Sequence, residues 1–182
     1  MIRNLIFVLL CFSMLYATAY AQPAIPKDID ALYKKLHESK ADTNRVKLLI
    51  DLCRYDNATS AKQPALVDSA IITASRANAL ATKLAYNEGI GLSYQVMAQS
   101  WCNKKDFKRS DELIKKAINI FLTNNLYRDA AEAYLNMEEF YLSAGGQDYI
   151  VMIKYYEKAR PLFNKAAAYD REGATLSMLG DF

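Results

Sequence analysis

The stretch from Tyr94 to Ala117, YQVMAQSWCNKKDFKRSDELIKKA, decides the fold. Tyr94, Met97, Ala98 and Trp101 are spaced three, four and seven apart, which is one face of a helix with 3.6 residues per turn. The polar run Asn103-Lys104-Lys105 interrupts that face, and Asp106 follows as a natural helix cap. Phe107, Ile114, Ala117, Ile118 and Phe121 then open a second stripe. Two amphipathic helices joined by a short polar turn hide their apolar faces best against each other, so the stretch predicts an antiparallel helical hairpin. Ala98 and Ala117 suit it, because helices cross closely where a side chain is small and larger ones interlock around that point.

The same pattern extends in both directions. Toward the C-terminus, Tyr134, Met137 and Tyr141 form a stripe that Gly145-Gly146 ends, and Tyr149, Met152, Tyr156, Ala159 and Phe163 form the next. Toward the N-terminus lie Val46, Leu49, Ile50 and Cys53, with Asp42 or Thr43 as the cap. A polar break from Asp56 to Gln63 follows, then Pro64, which a first helical turn tolerates. Val67, Ala70, Ile71, Ala74, Ala77, Ala81 and Leu84 make a long stripe rich in small residues, and Ile90 leads into Tyr94. Ile29, Leu32, Tyr33 and Leu36 give a short capping helix beginning near Lys27. Leu176, Leu179 and Gly180 start one further stripe. The closing alanines Ala77, Ala117 and Ala159 are 40 and 42 residues apart, and a fixed period of this size signals stacked hairpins. Pro161, late in its helix, is expected to kink or end it near Lys158.

Composition supports an all-α fold. The 182 residues include six glycines and four prolines, too few for the tight turns of sandwiches or glycine loops of α/β folds. Apolar types make up 52% and charged types 24%, which is ordinary for a globular chain and excludes disorder. A net charge of +3, with 23 basic side chains interleaved among 20 acids, gives no field suited to nucleic acid.

Residues 1–21 read as an export signal. Arg3 precedes an apolar run from Leu5 to Tyr16, shorter than the roughly twenty residues that span a bilayer, and Ala19-Tyr20-Ala21 is a small-residue cleavage pattern. Cleavage is expected after Ala21, which lowers the charge to +2 and places the mature chain in the periplasm.

The ordered series of aromatic, large and small positions resembles the tetratricopeptide repeat. The resemblance covers residues 43–182, with the Tyr94–Ala117 unit the most specific. It implies an α-solenoid with a capping helix in 22–42, repeats at about 43–86, 87–126 and 127–168, and an incomplete one at 169–182. The family's usual period is about 34; one more turn on each of two helices adds about seven, so longer helices are expected. Glu138 stands where a small residue is usual, Lys105 replaces a turn glycine, Asp56 replaces an aromatic, and Gly145-Gly146 reads as an insertion.

In such arrays the first helix of each repeat lines a concave surface. The side of those helices away from the partner stripe carries Lys47, Arg54, Gln95, Gln99, Asn103, Glu132, Leu135 and Glu139, the candidate surface for a protein or peptide partner. The basic clamp of chaperone-binding members is not expected, since Ala174 and Met178 stand where its last basic pair would be.

Chemistry is not expected of this chain. His37 is the sole histidine and reads as a surface residue, so no histidine-based metal cluster forms. Gly89-Ile90-Gly91 lacks the third glycine and the preceding strand of a phosphate-binding loop. Glu138 and Glu139 point about 100° apart on a helix and read as a solvated face. Trp101 and most tyrosines fall on core stripes, and Cys53 and Cys102 read as buried small residues, with a disulfide as the alternative. Asn57-Ala58-Thr59 is a glycosylation sequon of consequence in a eukaryotic secretory pathway alone. No catalytic residue, metal or cofactor is assigned.

The function expected is therefore a non-catalytic interaction scaffold. Export signal, capping helix and long repeats together resemble the extracytoplasmic sensor region of bacterial tetratricopeptide-containing histidine kinases and regulators. That resemblance implies the input part of a longer signalling protein, with dimerisation or partner binding as its trigger. A stand-alone periplasmic adaptor and an envelope assembly subunit are the alternatives.

Overall fold

The computed structural model describes residues 28–168, 171–173 and 175. The proposed signal segment, Ala174, and the stripe at Leu176, Leu179 and Gly180 with Met178 lie outside them. Among the described residues the chain is all helix, with seven helices in order: α1 (Ile29–Glu38), α2 (Thr43–Thr59), α3 (Leu66–Lys83), α4 (Asn87–Asn103), α5 (Phe107–Thr123), α6 (Tyr127–Ser143) and α7 (Tyr149–Lys165). Residues 171–173 and 175 are helical as well.

Aspartates open four of the seven. Asp28, Asp42, Asp106 and Asp148 each accept a bond from a backbone N–H one turn in, at 2.8–3.1 Å, satisfying a donor the helix cannot serve. The ends are still more uniform. One residue adopts the left-handed conformation after each of α3 to α7: Ala85, Lys105, Asn125, Gly145 and Ala167, with φ between 51° and 86°. At Lys105 the N–H reaches the Cys102 carbonyl at 2.8 Å, and the next N–H, of Asp106, reaches that of Trp101 at 3.0 Å. The same pair of bonds recurs at all five turns, and it is the double closure that satisfies the last carbonyls of a helix. The chain thus reverses every twenty residues, except that Gly146 and Gln147 lengthen the α6–α7 turn by two.

Three antiparallel hairpins result, α2/α3, α4/α5 and α6/α7, stacked into a solenoid. First helices touch across repeats, α2 on α4 and α4 on α6, whereas α3 does not reach α5, nor α5 reach α7. The first helices therefore form the inner, concave layer, and each second helix wedges between two of them from outside. α1 covers the exposed end of α2, and Arg45 Nη1 ties the two by donating to the Leu36 and Ser39 carbonyls at 3.0 and 2.9 Å. Two apolar clusters fill the interior. Val46, Leu49, Ile50 and Cys53 meet Ala74, Ala77 and Ala81 in one; Ile114, Ala117, Phe121, Tyr156, Ala159 and Phe163 anchor the other, and Leu92 joins both. All three closing alanines are fully buried. Gly91 lies beneath the Phe121 ring, where a Cβ would collide with the aromatic carbons, so its absent side chain lets α4 and α5 meet.

Several sequence expectations are corrected. α7 runs through Pro161 to Lys165 without ending near Lys158. The proline and Glu157, whose carbonyl loses its helical donor, both face solvent, while Leu162 and Phe163 hold the last turn on the core. Pro64 precedes α3 in a turn, where the Gln63 carbonyl accepts from Leu66 N–H, and is not within the helix. Tyr33, Leu84 and Tyr149, assigned to core stripes, are exposed, because they sit at the margin of a stripe or the extreme end of a helix. Cys53 and Cys102 are both free and buried, in different clusters. The Asn57 of the sequon is buried too.

Lys105 in a left-handed turn is strained relative to glycine, so Lys105→Gly is expected to stabilise the fold by about 0.5–1 kcal/mol in denaturant titration. Ala117→Leu, by contrast, overfills the α4–α5 contact and is expected to cost about 1–3 kcal/mol in the same assay.

Candidate functional site

The concave layer encloses a groove of about 840 Å³. Its floor is α4, through Leu92, Gln95, Val96, Gln99 and Asn103; one wall is α2, with Arg54, Asn57 and Ala58. The other wall is α6, from Arg128 and Asp129 through Glu132, Leu135 and Asn136 to Glu138, Glu139 and Leu142, and Arg171 closes one end. Seven of the eight candidate residues line it together. Lys47 shares a face with Arg54 but lies two turns before it, exposed and outside the groove, which begins at Arg54 on this helix.

Within that lining, some polar groups are already engaged. Asn57 Nδ2 donates to the Val96 carbonyl at 3.0 Å, Ser100 Oγ donates to Asn57 Oδ1 at 2.9 Å, and Asn103 Nδ2 donates to the Asn57 carbonyl at 3.2 Å. Gln99 Nε2 in turn donates to Asn103 Oδ1 at 3.1 Å. This ladder stitches α2 to α4. Gln99 and Asn103, read from the sequence as partner contacts, spend much of their bonding capacity on the scaffold. Asn57 was missed as part of this face. No local pattern marks it, since its role depends on Val96, Ser100 and Asn103, which meet it from α4. Glu132 is likewise taken: Arg171 Nε and Nη2 clamp its carboxylate at 2.8 and 2.6 Å. Leu135 is buried on the α6 wall.

Other groups are not engaged. Gln95 Oε1 is shut off from solvent and accepts no hydrogen bond among the described residues. Asp129 and Glu139 are partly buried, and neither carboxylate has an ion pair among the described residues. Burial pushes the Asp129 carboxyl above its ordinary range, and Glu88 and Glu132 add to this against the opposing pull of Arg128 and Arg54. Burial alone raises Glu139. The expectation that Glu138 and Glu139 form a solvated face is overturned. They diverge as helix geometry requires, but Glu138 is only 5% exposed and turns toward α7, where the Tyr156 hydroxyl donates to it. Its carboxyl is raised by burial, with Glu139 adding, despite that bond. Asp56, between α2 and α3, is 1% exposed with Oδ2 unbonded, and burial lifts it in spite of Ser69.

Chemically, this is a trough of mixed lining, in which Leu92, Val96, Leu135 and Leu142 offer apolar surface beside side-chain amides and carboxylates. Among the described residues no three His, Cys, Asp or Glu side chains converge as a metal site, and no helix is long and apolar enough to cross a membrane. The buried thiols of Cys53 and Cys102 are raised by desolvation, which keeps them protonated and poorly nucleophilic.

No protein-family model matches the chain, and no curated protein matches it. Among solved structures, the crystal structure of BtubC (BKLC) from P. vanneervenii is similar, with 13% identity and a TM-score of 0.48 over 84% of this chain and 68% of that one. A likeness this shallow carries no functional argument.

Asp56, Asp129, Glu138 and Glu139 shift in the same direction, which fixes a sign. An acid raised in the native state contributes most below its unfolded value near 4, and that contribution is lost as pH climbs through the native value. The thermal midpoint is therefore expected to fall as pH climbs from about 4 through the raised native values, and Asp56→Asn to reduce the fall, as measured by calorimetry. A rise across that interval would contradict the desolvated carboxyls.

Proposed function

We propose that this chain is a non-catalytic interaction scaffold of tetratricopeptide type whose concave groove takes a peptide or protein segment. The observation that carries the reading is the trough itself, floored by α4 and walled by α2 and α6, with side chains of all three helices lining it together. Glu138 and Glu139 diverge and Glu132 pairs with Arg171, an arrangement suited to recognition. Export through residues 1–21, with cleavage after Ala21, and service as the input part of a longer envelope signalling protein complete the proposal; both rest on the sequence pattern.

Selection of a random peptide library on the full chain tests it. Retained peptides are expected to lose about tenfold in affinity against the double variant Gln95→Ala with Glu139→Ala, while its thermal midpoint stays within a few degrees of the parent. Peptides that bind both proteins equally would remove the groove as the site.

A further inference from the structure

We propose that the helical turn carrying Arg171, Glu172, Gly173 and Thr175 is a gate at the end of the groove, latched by Arg171 on Glu132. This rests on the peptide-groove reading and adds how the groove is closed. The latch joins the α6 wall to a segment 39 positions away in sequence. Arg171 Nε and Nη2 donate to the two carboxylate oxygens of Glu132 at 2.8 and 2.6 Å, the planar fork that fits a carboxylate best. The guanidinium also lies over the Phe163 ring of α7, 5.7 Å from its centre. Its side chain is 9% exposed, against 30% for that of Glu132, so the arginine is the fixed member and the acid the one that meets the groove. Both residues line the trough, and an occupant that reaches this end meets the latch itself.

Against this strong latch stands a weak helix. Gly173 sits inside the turn, exposed, and a Cβ added there would meet nothing within 4 Å. Gly91 is small because the Phe121 ring lies on it, whereas no close approach asks for glycine at 173. Its effect is to lower the helical propensity of the turn. Glu172 adds one exposed bond, accepting from Asn164 Nδ2 of α7 at 3.0 Å, and the buried Thr175 hydroxyl donates back to the Arg171 carbonyl at 2.8 Å. A segment of low propensity held by a buried charge pair has two states. A guanidinium left buried without its carboxylate is strongly unfavourable, so when Glu132 lets go, Arg171 leaves with its turn and the groove gains an open end. Entry of an occupant and opening of the gate are thereby linked.

Hydrogen exchange followed by mass spectrometry on the full chain tests the latch without any ligand. Glu132→Gln is expected to speed exchange in the peptide covering residues 171–175 at least about tenfold while the amides of α4 keep their protection. Gly173→Ala is expected to slow the same peptide about three- to fivefold, and the charge-exchanged double variant Glu132→Arg with Arg171→Glu to restore part of what Glu132→Gln loses. Unchanged exchange in Glu132→Gln, or an equal acceleration in α4, would overturn the latch. The probes for the second arm are peptides retained by the random-library selection. They are expected to associate at least about threefold more slowly with Gly173→Ala than with the parent, because this residue touches nothing in the groove and acts through the turn alone. Equal association rates would overturn the gate while leaving the peptide groove intact. If the selection retains no peptide, the groove reading falls and the gate falls with it, whatever the exchange rates show.

Discussion

Each helix from α3 onward ends when one residue flips into the left-handed region, and the flip recurs at Ala85, Lys105, Asn125, Gly145 and Ala167. Because the same pair of backbone bonds closes every turn, each helix leaves its predecessor at a similar angle and after a similar length. Everything larger follows from that repetition. Antiparallel neighbours place Ala77, Ala117 and Ala159 at the closest approaches, Gly91 admits the Phe121 ring, and the first helices come to share one face. Only two of the five turn residues, Asn125 and Gly145, belong to types that accept this conformation readily. Ala85, Lys105 and Ala167 are held there by the same pair of backbone bonds.

The two faces of the inner layer obey different rules. Toward the second helices, side chains are apolar and close-packed, as a core requires. Toward the groove, polar groups divide between those that finish the scaffold, such as the Asn57–Ser100–Asn103 ladder and the Arg171–Glu132 clamp, and those that the scaffold leaves open. Gln95, Asp129 and Glu139 belong to the second kind. A chain selected for stability alone would have paired or replaced them.

Much of this was legible from spacing. Period 3.6 placed Gln95, Gln99 and Asn103 on one face, and Glu132, Leu135 and Glu139 on its counterpart, because the groove is simply the side of each first helix that the core does not use. Lys47 shows the limit, since angular position does not say how far along a helix a groove extends. Asn57, Arg128 and Asp129 escaped because their role depends on what faces them across the groove. The burial of Glu138 escaped for a related reason: its Tyr156 partner comes from α7, eighteen positions away, and no local pattern links the two. Pro161 does not end α7 near Lys158, because Leu162 and Phe163 hold the last turn on the core.

Contact between inner helices, combined with its absence between outer ones, has a mechanical meaning. A stack joined along one edge bends like a hinged spine: the wedges between α3, α5 and α7 can open or shut while the α2, α4 and α6 contacts act as the pivot. Groove width is then an elastic coordinate of the whole array rather than a property of any side chain. A segment that draws α2 and α6 together across α4 would tighten the curvature everywhere, so the local act of filling a trough becomes a displacement at the far end of the solenoid.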